Sequence, residues 1–187
     1  MKFSMKKVTV LLADGFEEIE ALTVVDLLRR AKVYVDTVSI TDDYTVRGAH
    51  GIPVQTEDLI TEIDFKESDM IVLPGGMPGT TNLKEDENVR KAVQEAYDDG
   101  RYVAAICAAP TILADMGLLK GKRATCYPDM ENEIEDAYLT GAPVATDENI
   151  ITSQGVGTAI DFALKLIEVL ISEEKAVEIA DSIVYQR

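Results

Sequence analysis

The chain has 187 residues, 47% hydrophobic and 28% charged, an ordinary composition for a soluble globular protein with enough material for one sizeable core. Its 34 acidic and 18 basic side chains leave a net charge of −16. A surface of that sign repels phosphate backbones and anionic lipid, which argues against nucleic acid and membrane as partners and otherwise speaks only to solubility.

The start, MKFSMKKVTVLLADGFEE, places lysines before an apolar run as a signal peptide does. VTVLLA (8–13) is too short for that role, and acidic residues follow at once, so it reads as a buried strand. No stretch is long and apolar enough for a bilayer, and the expected location is cytoplasmic. FEEIEALTVVDLLRRA (16–31) has helical periodicity, and VYVDTVSI (33–40) is a second strand. TDDYTVRGAHGIPVQTE suggests a hairpin or two short strands around Gly48 and Gly51. DMIVLP (69–74) is a continuous apolar strand that runs into the turn GGMPG. DENVRKAVQEAYDD (86–99) predicts a helix stopped by Gly100. RYVAAI (101–106) is a strand, and PTILADMG (110–117) a short helix with proline at a tolerated first position.

RATCYP, the acidic segment MENEIEDA, and the pair VATD and NIITS (149–153) follow, and two helices over 156–171 and 172–184 close the chain. Apolar strands alternating with helices predict a mostly parallel α/β sheet covered on both faces. No linker or repeat divides it, so one domain over 1–187 is expected. Ligands of such sheets sit outside the carboxyl ends of the strands. Three of those ends are unusual here: ADG at 13–15, PGG at 74–76, and Cys107. Cys107 and Cys126 have no metal-type spacing and imply no disulfide framework, so no metal is expected on them.

In RYVAAICAAPTIL a strand turns straight into a helix at Cys107, with Ala105 two before and Ala109 two after. This is the shape of a nucleophile elbow, where small residues let strand and helix approach closely. A helix N-terminus also lowers a thiol pKa, to about 3.5–7.5 in favourable cases. A small core cysteine in a tight turn is the plainer alternative. Glu20 falls on one helical stripe with Val24, Leu27, Leu28 and Ala31, all apolar, while Glu18, Asp26, Arg29 and Arg30 cluster roughly opposite. A carboxyl on a core face is costly unless paired, and burial favours its neutral form. That position favours a functional carboxyl over a first-turn glutamate serving the helix dipole. In LPGGMPG (73–79), successive glycines after a strand allow backbone N–H groups to converge on an anion, and no GK[ST] follows to make it a P-loop. The sole histidine, His50, is the only candidate for a thiol-activating base, and a hairpin position at the site rim is preferred for it.

Four stretches in order, LLADGFEEIEA, LPGGMPG, AAICAAPTILADMGLLKGKRAT and TSQGVGTAIDFAL, resemble the ThiJ/PfpI superfamily and, within it, the branch of the Parkinsonism-associated DJ protein and its bacterial homologues. The similarity runs from about Lys7 to about Ala180. It implies a flavodoxin-like three-layer α/β sandwich of the class I glutamine amidotransferase type and a homodimer. By the same resemblance Cys107 is the reactive cysteine at the elbow and Glu20 the protonated carboxyl bonded to it. The backbone donors are Gly75, Gly76 and Ala108. A neutral Glu20 would stabilise a thiolate or sulfinate and so lower the thiol pKa. Departures are visible: Tyr127 stands where animal members carry a histidine, and Ala49 and His50, with Arg47 close by, stand near the place of a pocket arginine. Ala108 stands where the protease-like branch has a histidine, which disfavours peptidase activity, and no downstream histidine supports an amidotransferase.

The resemblance implies cofactor-free glyoxalase III or deglycase chemistry on α-oxoaldehydes such as methylglyoxal, or on glycated protein. In that chemistry Cys107 forms a hemithioacetal and Glu20 moves the proton. The same residues serve an alternative, an oxidative-stress sensor or redox-regulated chaperone in which Cys107 becomes a sulfinate without turnover. A thiazole-biosynthetic role rests on the superfamily name alone. Ile19, Leu22 and Val25 form a second apolar group on the 16–31 helix, away from its core stripe. With the family's dimer, this set points to a homodimer through that helix.

Overall fold

A computed structural model of the chain describes residues 5–186. Lys2, part of the signal-like start, lies outside them, as do the ends of the expected 1–187 domain. The chain runs β1 (Lys7–Leu12), α1 (Glu18–Arg30), β2 (Tyr34–Ser39), a hairpin of β3 (Thr45–Arg47) and β4 (Pro53–Gln55), β5 (Asp58–Leu59) and β6 (Met70–Leu73). It continues through α2 (Gly79–Glu85), α3 (Glu87–Asp98), β7 (Tyr102–Ile106), α4 (Pro110–Asp115), β8 (Arg123–Ala124) and β9 (Tyr138–Leu139). β10 (Val144–Asp147), β11 (Ile150–Ser153), α5 (Ala159–Leu170) and α6 (Glu173–Ser182) complete it.

The main sheet has the order β10-β11-β7-β6-β1-β2-β5, parallel except for β10, which pairs antiparallel with β11. Side-chain alternation divides its apolar residues between two cores. Val8, Val10 and Leu12 of β1 and Ala104 and Ile106 of β7 join the core of α1, α5 and α6. Leu11, Val103 and Ala105 join that of α2, α3 and α4. The protein is a flavodoxin-like α/β sandwich. From β1 the chain builds outward to β2 on one side and to β6, β7 and β11 on the other. The resulting switch point leaves a crevice at the carboxyl ends of β1 and β6.

Several local expectations are revised. GGMPG leads into a helix, α2, rather than directly to 86–99. GTTNLKE shows little periodicity, and its helix is held by the burial of Leu83. Asp86, extended at ψ 119°, ends α2 and caps α3, its side chain accepting from the N–H groups of Asn88 (2.8 Å) and Val89 (3.0 Å). RATCYP contributes only the two residues of β8, which pair with β9 outside the main sheet. On α1, Val25 is buried rather than outward-facing, and Glu18, expected on the solvated side, is buried under the hairpin. A period of 3.6 sees the sheet below a helix but not a hairpin folded over its first turn.

Candidate active site

Three strand ends meet in the crevice. β7 stops at Ile106, and Cys107 turns the chain at φ +66° before Pro110 opens α4. That conformation is costly for a residue with a β-carbon and persists only where the surroundings impose it. Here the Cys107 N–H donates to the Ser153 carbonyl (3.0 Å), and the Cys107 carbonyl accepts from the Tyr127 N–H (2.8 Å). Ala105 and Ala109 are fully buried on either side. The elbow geometry expected from the alanine spacing is present.

Glu20 is completely buried, with Val24 and Leu28 of its stripe. Its Oε2 accepts the Gly75 N–H at 2.9 Å. Its Oε1 is buried with no hydrogen-bond partner, and the Cys107 thiol is the neighbouring side chain that acts on the carboxyl. The glycine turn is obligatory for this approach: a β-carbon at Gly75 would lie 2.5 Å from both the Cys107 Cβ and Glu20 Oε2. Gly76 sits at φ +92°, where a β-carbon would come within 2.3 Å of the Glu17 nitrogen. The backbone N–H groups of Gly76 and Ala108 are the neighbours that favour the Cys107 thiolate. Gly75 departs from the expected role, since its N–H is spent on Glu20 and holds the carboxyl rather than facing the sulfur.

Burial pushes the Glu20 carboxyl up to about 7 against the hydrogen bonds to Cys107 and Gly75, with a smaller upward push from the charge of Glu17. Burial also pushes the Cys107 thiol up to about 12, helped by the charge of an ionised Glu20 and the hydrogen bond with it, and opposed by the Ala108 and Gly76 amides. This direction is opposite to the expected lowering. Its main cause is burial, which disfavours the thiolate, and the second is that a carboxylate and a thiolate cannot share the site. When Glu20 holds the proton its charge no longer opposes the thiolate, and only burial stands against the two amide donors. The two groups titrate as a pair. Cys126, 1% exposed, is pushed up to about 11 by burial and then by Glu131 and Glu133.

Cys107 and Glu20 open on a pocket of about 500 Å³ bounded by Glu17, Gly76, Tyr127, Gln154, Val156 and Thr158. Tyr127 is exposed and lines the pocket. His50 is not among the lining residues. It sits in the β3–β4 connection, where its N–H and ring Nδ1 bond the two oxygens of Glu18 at 2.8 Å each, and that bond draws its pKa upward. Sequence reasoning missed Glu17 and the 154–158 wall. Both fall in stretches quoted for their resemblance, where nothing in the spacing marks which side chains face a cavity. No helix among the described residues is long and apolar enough to cross a membrane.

The site can be set beside known proteins. Residues 6–169 match the model of the DJ-1/PfpI family. The chain is 40% identical over 186 residues to protein DJ-1 homolog B of Arabidopsis thaliana, covering 98% of this chain but 42% of that longer protein. It is 34% identical over 182 residues to the glutathione-independent glyoxalase DJ-1 of Schizosaccharomyces pombe, covering 91% of this chain and 94% of the relative. A crystal structure of a DJ-1 superfamily protein from Salmonella typhimurium, solved as a cysteine-to-alanine mutant, is 35% identical and superposes with a TM-score of 0.93 over 98% of this chain and all of that one. With the fold, the crevice and a family match over residues 6–169 in agreement, the chain belongs to the DJ-1/PfpI family.

Proposed function

We propose that the protein converts a small α-oxoaldehyde such as methylglyoxal to the 2-hydroxy acid without a cofactor, using Cys107 as nucleophile and Glu20 as proton shuttle. One observation supports this above the others: the sulfur faces two backbone N–H donors and one buried carboxyl at the floor of an open pocket. The thiolate adds to the aldehyde carbon, a sulfur–carbon bond forms, and the oxygen takes the proton of Glu20 to give a hemithioacetal. The Glu20 carboxylate removes the hydrogen of that carbon as a proton. A proton passes between the two oxygens of the resulting enediolate, and Glu20 returns its proton to the neighbouring carbon, leaving a thioester. Water, giving a proton to Glu20, adds to the thioester carbon. The sulfur–carbon bond breaks, the thiolate is restored, and the 2-hydroxy acid leaves. The Gly76 and Ala108 amides stabilise the sulfur anion at both ends of the cycle. Steady-state formation of lactate from methylglyoxal by purified protein, with no added thiol or metal, tests the reading; stoichiometric consumption that stops after one equivalent would contradict it.

The partner in this reading is a second copy of the chain. Ile19 and Leu22 of α1 are 51% and 37% exposed, and with Ile52 of the hairpin, Ile160 and Ile183 they line an apolar groove of about 620 Å³. A twofold pairing of α1 would cover that groove and place the Glu17–Glu20 turn beside the boundary. Leu22→Asp is expected to convert a micromolar dimer to monomer in sedimentation velocity and to slow alkylation of Cys107. A monomeric parent protein would remove the dimer from the account.

A further inference from the structure

The residues lining the Cys107 pocket include two carboxyls, Glu17 and Glu20, and no lysine, arginine or histidine. Glu20 is raised toward its neutral form by burial, which leaves Glu17, whose charge adds to that push, as the other acidic side chain of the wall. Its backbone is anchored, because the Glu17 N–H donates to the Gly75 carbonyl at 2.8 Å. Its side chain is 12% exposed, and Oε1 receives only the Ile19 N–H, at 3.4 Å. Its ion-pair partner, His50, is held more closely by its neighbour: His50 Nδ1 is 2.8 Å from Glu18 Oε2 and 3.6 Å from Glu17 Oε2, and the His50 N–H also goes to Glu18. Two acidic side chains, Glu17 and Glu18, sharing one histidine give the pocket mouth a net negative charge.

We propose that Glu17 is the charge selector of this pocket, admitting neutral and cationic aldehydes to Cys107 and turning back anionic ones such as α-oxo acids. The proposal rests on Cys107 being the reactive thiol of the proposed function and adds what that function leaves open, the substrate's charge class. The same charge serves the end of the cycle. A neutral oxoaldehyde enters and a hydroxy-carboxylate is formed, so the product is repelled by the group that let the substrate in.

The test compares alkylation of Cys107 by iodoacetamide, which is neutral, and iodoacetate, which is anionic, each normalised to the same reagent's rate with N-acetylcysteine. Taking the ratio of the two cancels any change in thiolate fraction. The expected normalised penalty against iodoacetate is about threefold to tenfold in the parent protein, and Glu17→Gln or raised ionic strength should remove most of it. Glu17→Asp keeps the charge and a good helix cap and should retain the penalty. Glu135→Gln, an exposed acid away from the pocket lining, controls for net charge and should leave the penalty unchanged. An iodoacetate penalty equal in the parent protein and in Glu17→Gln would overturn the selector while leaving the reactive thiol standing. A Cys107 inert to both reagents would overturn the proposed function, and the selector with it.

Discussion

Serine in place of Cys107 is expected to lower methylglyoxal turnover by about a thousandfold or more, the scale on which loss of a covalent nucleophile removes catalysis. The hydroxyl is nearly the size of the thiol, so the elbow should survive: its bonds to Ser153 and Tyr127 are made by the backbone. What is lost is the polarizable anion that two amides and one carboxyl are arranged to hold. Thermal unfolding within a few degrees of the parent, with turnover at background, is the expected combination. Turnover retained within tenfold would move the chemistry elsewhere. Parent protein that oxidises at Cys107 but never turns over would favour the sensor reading instead.

Replacing Glu20 by glutamine should produce the second large effect. The amide keeps the shape and can still donate, but it cannot carry a proton between oxygen and carbon. General acid–base loss of this kind costs about 10² to 10⁴ in kcat. The same variant has a signature in stability. Because burial raises Glu20 to about 7, the folded protein holds a proton that the unfolded chain has already lost above about 4.5. The folded state therefore binds more protons in that window, and stability falls as pH rises through it, by about 3 kcal/mol in all, levelling off above pH 7. Glu20→Gln has nothing to titrate there. Its stability relative to the parent should climb between pH 4.5 and 7 in denaturant unfolding, and parallel curves would mean that Glu20 is solvated.

The parts of this fold that could be read from the sequence are those written in local periodicity. VTVLLA, DMIVLP and RYVAAI are strands within a residue or two of their expected limits, and the stripe of Glu20 with Val24, Leu27 and Leu28 is the face that α1 buries. Cys107 and Glu20 were legible for the same reason. A lone reactive type at a strand-to-helix turn, and a lone charge on an apolar stripe, both violate the local pattern, and such violations gather at functional sites. What could not be read depends on distant segments. Glu18 and Val25 looked solvent-facing because what covers them, the hairpin over Glu18 and the α5 and α6 residues of the core that Val25 joins, is not a neighbour of α1 in sequence. Gly75 looked like a donor to an anion because spacing does not reveal that Glu20, fifty-five residues earlier, takes its N–H. Glu17 carried no signal at all as one of three glutamates in a first turn.

Where the Cys107–Glu20 pair keeps its shared proton decides whether Cys107 is a nucleophile. In a Cys126→Ser background, which removes the other thiol, far-ultraviolet thiolate absorbance can be followed against pH. With the proton kept on Glu20, whose charge then no longer pushes the thiol up, and the sulfur facing the Gly76 and Ala108 amides, the thiolate signal should rise near neutral pH, well below the value of about 12 that burial and an ionised Glu20 impose together. A signal that stays flat through neutrality and grows only toward pH 12 would show that Glu20 ionises first and that Cys107 is an inert buried thiol, contradicting the account.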